Sequence, residues 1–313
     1  MPIPILLLLE KGCCFQDGYT CSTIFYILLT FRKHSCILAK EKTTSMRIKI
    51  RLMFIAGISM IIASCSSNPY GPTNKAYKKH TKELSRTIRT NPVNLTGQDF
   101  VGTTNFGLRK PNYVIIHHTA QNSTEQTLKT FTLPKTQVSA HYVIGKDGAI
   151  YQMLNDYLRA WHGGAAKWGN LTDINSASIG IELDNNGFES FSQVQINSLL
   201  KVLAILKKTH SIPAANFIGH SDIAPGRKVD PNITFPWKTL AENGYGLWQD
   251  ETLSDSIPET FNQIEALRII GYDIKNPLNA MKSFQLHFSQ KEITGILTEG
   301  EIKILFNLYK KYL

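Results

Sequence analysis

Two short apolar runs constrain the fold of this chain more than any other feature. Tyr113–Thr119 and Ser178–Asp184 are rich in β-branched residues and are bounded by polar or turn residues. Runs of this length and composition are typical of strands that are buried in a sheet. The first run ends in paired histidines, and the second carries one carboxylate, Glu182, in its middle. Because a buried strand rarely holds an unpaired carboxylate, Glu182 needs a partner, a proton or a catalytic task.

The segments between these runs predict helices and a hairpin. Ser-x-x-Gln capping patterns predict one helix after Ser123 and another after Ser192. Two shorter strand-like segments flank Lys146-Asp147-Gly148, which is a β-hairpin signal. Strands mixed with helices that cover them predict an α/β sheet domain.

The stretch Gly219–Pro231 places an imidazole, an ammonium and a carboxylate on one irregular segment. These groups belong to His220, Lys228 and Asp230. The proline and glycine residues of the stretch exclude a long helix, so the three groups are not simply a solvated helical face. A rigid loop with this composition indicates a pair of metal ligands with a cation beside them, an arrangement that suits a hydrolase.

Composition limits the possible chemistry and partners. All five cysteines lie at or before Cys65, so the rest of the chain has neither a disulfide framework nor a thiolate metal site. A metal there must therefore use His and carboxylate ligands. Of the formal net charge of +10, residues 1–64 account for +5, and the mildly basic remainder fits anionic cell-wall or membrane surroundings, with an ordinary solvated surface as the alternative. The sequence has no nucleic-acid-binding motif, and we expect no nucleic-acid partner.

Taken together, these segments resemble the zinc-dependent, type 2 N-acetylmuramoyl-L-alanine amidase family, which shares its fold with peptidoglycan recognition proteins. The resemblance runs from about Pro111 to Trp237 and includes the motifs Ser139–Tyr142, Ala160–Gly163 and Ile179–Leu183. Several separated motifs in the family's order are more specific than one isolated pattern. The resemblance implies a mixed central β-sheet flanked by helices, in an amidase domain that covers residues 104–250.

The resemblance also implies a ligand set for one zinc ion, namely His117, His220 and Asp230. A catalytic zinc site has three protein ligands and an open position for water. Two neutral imidazoles and one carboxylate leave a positive centre, which acidifies the bound water. Adjacent strand residues face opposite sides, so only one of His117 and His118 can point at the metal. The resemblance selects His117, whereas strand alternation alone does not distinguish His117 from His118 as the ligand.

We expect two further residues to be catalytic. Glu182 is predicted to be the general base, because burial raises the affinity of a carboxylate for a proton. The alternative for Glu182 is a structural ion pair with Lys or Arg. Lys228 is predicted to stabilise the tetrahedral oxyanion beside the zinc.

The remaining polar residues of these motifs have supporting roles in this interpretation. We expect His141, His162 and Trp161 to line or support the cleft and to contact substrate. The alternative for both histidines is a purely structural role. Asp222 is the competing carboxylate of the loop, and we expect it to bind backbone amides or Arg227 instead of the metal.

The reaction implied by the resemblance is hydrolysis of the amide bond between N-acetylmuramic acid and L-alanine, in peptidoglycan or muropeptides. The alternative from another class is a non-catalytic peptidoglycan receptor on the same fold. The chain keeps the ligand, base and cation residues together, which favours catalysis.

The amino-terminal sequence predicts export and a lipid anchor. A basic opening from Met46, an apolar stretch and small residues before Cys65 have the layout of a bacterial secretory signal. Its end resembles a lipobox, which implies that residues 46–64 are a signal peptide and that Cys65 is lipidated. Ser66 favours the outer membrane, facing the periplasm, in a host with two membranes. The alternative is a plain signal peptide with a chance cysteine.

The segments on either side of this signal have no catalytic motif. We expect residues 1–45 to be an artefact upstream of a true start at Met46. A membrane segment is the weaker alternative, because neither apolar tract there reaches spanning length. Residues 65–103 are rich in Ser, Asn, Thr and Lys, which suits a tether, part of which packs as an arm on the amidase domain.

Residues 255–313 predict a small, all-α, three-helix domain. The expected helices cover about 259–270, with Pro258 suited to the first turn, 277–287 and 299–312. The segment resembles the three-helix peptidoglycan-binding domain, most specifically in the turn Thr294–Thr298. The alternative is a helical cap on the amidase. A core of this size is marginal, so docking on the first domain is expected.

Overall fold

The computed structural model describes residues 68–90, 105, 107–254 and 256–313. The predictions for residues 1–45, for the signal 46–64 and for lipidation at Cys65 lie outside these ranges. Within them, no helix combines the length and the hydropathy that crossing a bilayer requires. The chain separates into two compact units, 1–82 and 83–313, and the sheet and the helices that follow it in the chain belong to the second.

A five-stranded sheet forms the centre of this unit. Its strands are β1 (Tyr113–His118), β2 (Tyr142–Ile144), β3 (Ile150–Gln152), β4 (Ser178–Leu183) and β5 (Phe217–Gly219). The spatial order is β3-β2-β4-β1-β5, with β3 antiparallel to β2 at one edge and all other pairs parallel. The prediction of an α/β fold with a mixed central sheet is therefore confirmed, as is the predicted hairpin.

The helices of the described residues are α1 (Gly71–Thr90), α2 (Thr124–Thr132), α3 (Ile174–Ala177), α4 (Gln193–His210), α5 (His220–Ile223), α6 (Trp237–Glu242), α7 (Gln263–Ile270), α8 (Pro277–Phe284) and α9 (Glu299–Tyr312). The predicted caps of α2 and α4 are present. The Ser123 side chain accepts the N–H of Gln126, and the Ser192 side chain accepts that of Gln195. Helix α8 continues into a π-helical turn, Gln285–Ser289.

Helix α7 begins later than the sequence predicted. The Asn262 side chain accepts the N–H groups of Ile264 and Glu265 and so forms the N-cap. Pro258 lies in a preceding turn, where its carbonyl accepts the N–H of Phe261. The prediction that Pro258 belongs to the first helical turn is wrong, because the asparagine side chain satisfies the free N–H groups of the helix.

The central sheet is buried on both faces. Val114 and Ile116 of β1 belong to one core cluster, which includes residues of α4 and α6. Ile115, which points the other way, belongs to a second cluster that includes residues of α7, α8 and α9. Alternation along each strand therefore divides the core between two layers of helices.

The three predicted carboxyl-terminal helices share their core with the sheet. Ile115 and Ile218 of the sheet join Leu267, Phe284 and Leu305 of the helices in one cluster of buried side chains. The expected docking is therefore observed, and the helices pack as a cap on the amidase. Glycan binding by this region stays a prediction.

Helix α1 occupies part of the segment that was predicted to be a tether. Its sequence carries Lys or Arg at six positions and a single carboxylate, and most of its residues are exposed. The prediction from the Ser, Asn, Thr and Lys content of this segment was a tether, and it did not identify the helix. The tethering role of residues 65–103 stays a prediction.

Candidate metal centre and active site

Three buried side chains from distant parts of the chain converge at the end of β1. His117 belongs to β1, His220 is the first residue of α5, and Asp230 lies in the loop that follows. His117 Nδ1 lies 2.9 Å from His220 Nδ1 and 3.1 Å from Asp230 Oδ2, and His220 Nδ1 lies 2.9 Å from that oxygen. In the part of the chain that the structure describes, no other group of His, Cys, Asp or Glu is placed to hold a metal ion.

The hydrogen bonds of His162 determine which nitrogen of His117 faces this centre. Ser178 Oγ donates to Ile174 O at 2.6 Å, so the same oxygen accepts the proton of His162 Nε2 at 3.1 Å. His162 Nδ1 is then an acceptor and receives the proton of His117 Nε2, also at 3.1 Å. His117 Nδ1 therefore presents a lone pair to the centre. Such outer bonds orient metal-binding histidines in known sites.

The second imidazole is oriented in the same way. His220 Nε2 lies 3.1 Å from the carbonyl oxygen of Gly163, which only accepts, so this nitrogen carries the proton. His220 Nδ1 is left with its lone pair toward Asp230. Two imidazole lone pairs and a carboxylate oxygen are a donor set that open zinc sites use, so the residues present fit zinc.

Burial and charge set the protonation of these groups. Burial, followed by the nearby His220, lowers the pKa of His117 to about 4, so this imidazole is neutral at pH 7. Burial tends to raise the pKa of Asp230, but the adjacent His117 and His220 side chains outweigh this effect and hold that pKa below its usual value. Neutral imidazole and ionised carboxylate are the forms that bind a metal.

The structure separates the paired histidines, as strand alternation requires. His118 points to the opposite side of β1 from His117, and its Nδ1 accepts the backbone N–H of Asn232 at 3.1 Å. It therefore holds the loop that follows Asp230 and does not join the centre.

Glu182 lies beside the centre on the neighbouring strand. In the parallel pairing of β4 with β1, Glu182 is the register partner of His117. Its Oε2 is buried and has no hydrogen-bond partner. Burial, with the negative charge of Asp230, raises the pKa of Glu182 to about 8, and only Lys228 opposes this. Glu182 forms no ion pair with any described Lys or Arg, so the structural alternative has no support.

A cleft of about 560 Å³ opens in front of His220, and its lining residues include Trp161, His162, Arg227 and Lys228. Trp161 exposes 52% of its surface, whereas His162 is buried. Lys228 is partly buried, and its charge lowers the pKa of both His117 and Glu182. Trp161 and Lys228 thus line the open cleft, whereas His162 mainly supports His117.

The predicted substrate contact of His141 is not supported. Its side chain is fully buried, its Nδ1 accepts the N–H of Gly180 at 3.0 Å, and its Nε2 contacts Leu158 O and the Arg109 guanidinium. Arg109 also donates to the backbone oxygens of Ser176 and Ser178 around the start of β4. His141 therefore has the structural role that the sequence left as an alternative. Arg109 was missed, because no local pattern links it to β4.

The structure corrects the expected partner of Arg227. Asp222 accepts the N–H of Gly219 at 2.7 Å, as predicted, but its other partners are Tyr272 and His287. Arg227 instead donates to Gly163 O at 2.7 Å at the edge of the cleft. Because Asp222 is fully buried and its two oxygens have these other partners, it is not available as a metal ligand.

Several known proteins are similar to this chain in sequence and in fold. The Amidase_2 family, described as N-acetylmuramoyl-L-alanine amidase, matches residues 107–233. N-acetylmuramoyl-L-alanine amidase AmiD of Escherichia coli (strain K12) is 33% identical over 231 residues, which cover 64% of this chain and 82% of AmiD. The 1,6-anhydro-N-acetylmuramyl-L-alanine amidase AmpD of the same organism is 39% identical over 101 residues, 32% of this chain and only 55% of AmpD.

Two solved structures are similar over most of their length. AmiD from E. coli, in complex with the substrate anhydro-N-acetylmuramic acid-L-Ala-D-gamma-Glu-L-Lys, has a TM-score of 0.59 and 29% identity, covering 67% of this chain and 93% of AmiD. AmpDh3 from Pseudomonas aeruginosa, in complex with anhydromuramic pentapeptide, has a TM-score of 0.60 and 28% identity. The match covers 71% of this chain and 99% of AmpDh3. Since the similarity to AmiD extends through both the sheet and most of that enzyme's length, the chain belongs to the N-acetylmuramoyl-L-alanine amidase family and is an amidase.

Proposed function

We propose that this protein uses one zinc ion to hydrolyse the amide bond between N-acetylmuramic acid and L-alanine in peptidoglycan or muropeptides. The observation that carries this proposal is the convergence of His117, His220 and Asp230 beside Glu182, whose Oε2 is buried without a hydrogen-bond partner. When bound, zinc supplies Lewis acidity toward the carbonyl and acidifies the attacking water. The complexes of AmiD and AmpDh3 with anhydromuramyl peptides support this class of substrate.

Glu182 is the general base in this proposal. A carboxyl group with a pKa near 8 is poised to take a proton from the attacking water at neutral pH and to return it to the leaving amine. Its position next to His117 in the paired strands holds it close to the centre.

Lys228 and Trp161 act on the substrate. Lys228 brings a positive charge to the cleft and stabilises the oxyanion that develops on the scissile carbonyl. By analogy with oxyanion-hole donors, this contributes about 3–4 kcal/mol to the barrier reduction. The exposed ring of Trp161 offers an apolar surface to the sugar or the peptide.

The test combines metal content with product analysis. We expect purified protein to hold about one zinc ion per chain, and to release intact stem peptides from sacculi and defined muropeptides. A chelator is expected to stop release, and added zinc to restore it. Mass spectrometry of the products identifies the bond that is cut. A metal-free protein that binds these peptides without cutting them is a receptor and contradicts the proposal.

We also propose that the protein is exported and anchored in the outer membrane through a lipid on Cys65. The support is the lipobox-like sequence that ends at this cysteine. Cys65→Ala is expected to move the protein from the membrane fraction to the soluble fraction, whereas the neighbouring Ser67→Ala leaves it in place. Membrane association of the Cys65→Ala protein contradicts the anchor.

A further inference from the structure

We propose that the carboxyl-terminal helices brace the loop that carries two of the three metal ligands, and that His287 is the positioning residue of this brace. This inference rests on the proposed zinc centre. The ligand loop is defined here as residues 219–235, which include His220 and Asp230.

Asp222, which lies inside the ligand loop, connects this loop to the carboxyl-terminal helices through the hydrogen bonds of its carboxylate. Its carboxylate is fully buried and accepts the N–H of Gly219 at 2.7 Å, immediately before His220. The remaining donors come from the helical region: Tyr272 Oη donates to Oδ1 at 2.8 Å, and His287 Nδ1 donates to Oδ2 at 2.7 Å. The backbone that carries His220 is therefore tied to the helices through one carboxylate.

Further contacts hold the loop on both sides of its ligands. Ser283 Oγ donates to Ser221 O at 2.8 Å, directly after His220. Gln290 Nε2 donates to the carbonyl oxygens of Ile233 and Phe235, at 3.0 and 2.6 Å, after Asp230. Inside the loop, the N–H of Ser221 donates to Asp230 O at 2.8 Å. A displacement of the helices would thus move both ligands.

A histidine at position 287 is less favourable for packing than an apolar ring would be, apart from the hydrogen bond that it donates to Asp222. Its ring stacks between Trp237, with centroids 3.8 Å apart, and Phe288, with centroids 4.0 Å apart. Its Nε2 is buried without a hydrogen-bond partner, which is unfavourable. An apolar ring would fill this slot without that loss. The Nδ1 donor to Asp222 is what an apolar ring cannot supply.

The π-helical turn places His287 at this position. Residues 285–289 follow directly from α8, and the wider turn changes the direction in which its side chains point. Gln290, the other brace residue, comes directly after the turn and has a left-handed backbone conformation, with φ of 54°. Both contacts with the ligand loop therefore depend on the end of α8.

The experiment compares zinc affinity among variants of the full chain. His287→Phe keeps a ring and removes the donor, and His287→Asn places an amide nitrogen near the position of Nδ1. The matched control is His210→Phe, which removes another buried His–Asp pair, between His210 and Asp156, outside the ligand loop. Zinc dissociation constants are measured by competition with a chromophoric chelator, at a temperature where circular dichroism shows each variant folded. The kcat and KM values on a defined muropeptide are measured in parallel.

We expect His287→Phe to weaken zinc binding by about 10–100-fold, as loss of outer partners does in metal sites, and to lower kcat with little change in KM. His287→Asn is expected to recover most of the affinity. His210→Phe is expected to lower the unfolding temperature and to leave zinc affinity unchanged.

Other outcomes separate the two proposals. A folded His287→Phe protein with wild-type zinc affinity overturns the brace, whereas a wild-type protein that binds no zinc overturns the proposed function. If His287→Phe does not fold, Gln290→Asn decides: asparagine tolerates the left-handed conformation but is too short to reach both carbonyls. Weaker zinc binding in that variant supports the brace, and unchanged binding overturns it.

Discussion

At the scale of single residues, Glu182 shows how position and burial create chemistry from an ordinary side chain. One of its carboxylate oxygens has no partner, and burial raises its pKa to about 8. A solvated glutamate would be fully ionised at neutral pH and would be a weak base. Burial instead keeps the neighbouring His117 neutral. A neutral imidazole and a basic carboxylate thus lie side by side.

The roles of Glu182 and His220 are separable by mutation. Glu182→Gln is expected to keep zinc and to lower kcat by about 10²–10⁴-fold, because it removes the base and leaves the ligands intact. His220→Ala is expected to lose both zinc and activity. Metal analysis and turnover of a muropeptide measure both effects. Activity within a few-fold of wild type in Glu182→Gln contradicts the base assignment.

The pKa of Glu182 also predicts a pH dependence of stability in metal-free protein. The folded-state pKa lies above the ordinary value of 4.5, so the folded state retains a proton that the unfolded state has lost. This contribution is fully present below about pH 4.5 and is lost as pH rises to about 8, with a slope of at most about 1.4 kcal/mol per pH unit. Urea unfolding of chelator-treated protein measures it.

Glu182→Gln is the control for this effect, because it cannot titrate. The difference in unfolding free energy between wild type and Glu182→Gln is expected to shift in favour of the variant as pH rises through this window. Parallel pH profiles for the two proteins would show that Glu182 has an ordinary pKa in the fold.

At the scale of elements, β4 supplies the core and the site from alternate residues. Ile179, Ile181 and Leu183 point into the cluster beneath α4. On the other face, Ser178 accepts a proton from His162, and Glu182 lies beside His117. Gly180 lies between them and leaves room for the His162 ring. Both patterns follow from the two-residue period of a strand.

The absence of a side chain at Gly180 is therefore a requirement of the site. A Cβ there would lie 2.4 Å from the His162 ring, well inside van der Waals contact. Gly180→Ala is expected to destabilise the fold by about 1–3 kcal/mol, as overpacking does, and to weaken zinc binding through His162 and His117. Denaturant unfolding and zinc competition measure the two effects.

Gly300→Ala is the matched control, because a Cβ at that position meets nothing within 4 Å. It lies in the first turn of α9, where alanine favours the helix, so its stability is expected to be unchanged or slightly higher. Equal stabilities for wild type and Gly180→Ala would show that His162 moves aside without cost.

At the scale of the whole molecule, the sheet and the carboxyl-terminal helices form one core. Ile115, Ile218 and Ile223 pack against side chains of α7, α8 and α9 rather than facing water. The same helices contact the ligand loop through polar side chains. The face of the sheet that carries the site is thus completed by the last part of the chain.

Removal of residues 251–313 is expected to destabilise the rest of the protein. The truncated chain would expose buried residues of the sheet, which promotes aggregation. Solubility and thermal unfolding of a chain that ends at Asp250, compared with the full chain, measure this. A soluble truncated protein with the full chain's unfolding temperature and zinc affinity would show that the helices are an independent module.

Local rules predicted the features that depend on a few neighbouring residues. The caps at Ser123 and Ser192 were predictable because a cap involves one side chain and the next turn of backbone. The same reasoning placed the first carboxyl-terminal helix too early, because it weighed Pro258 and overlooked the stronger cap at Asn262.

The sequence by itself determined the α/β class, four of the five strands of the sheet and the residue types available for a metal. Only the tertiary structure decided that His117 rather than His118 faces His220, a residue 103 positions away, and that Asp222 is held by Tyr272 and His287. The reason is physical. Hydrophobic period and capping act within a turn or a strand, whereas the direction of a buried polar side chain depends on partners that only packing brings together.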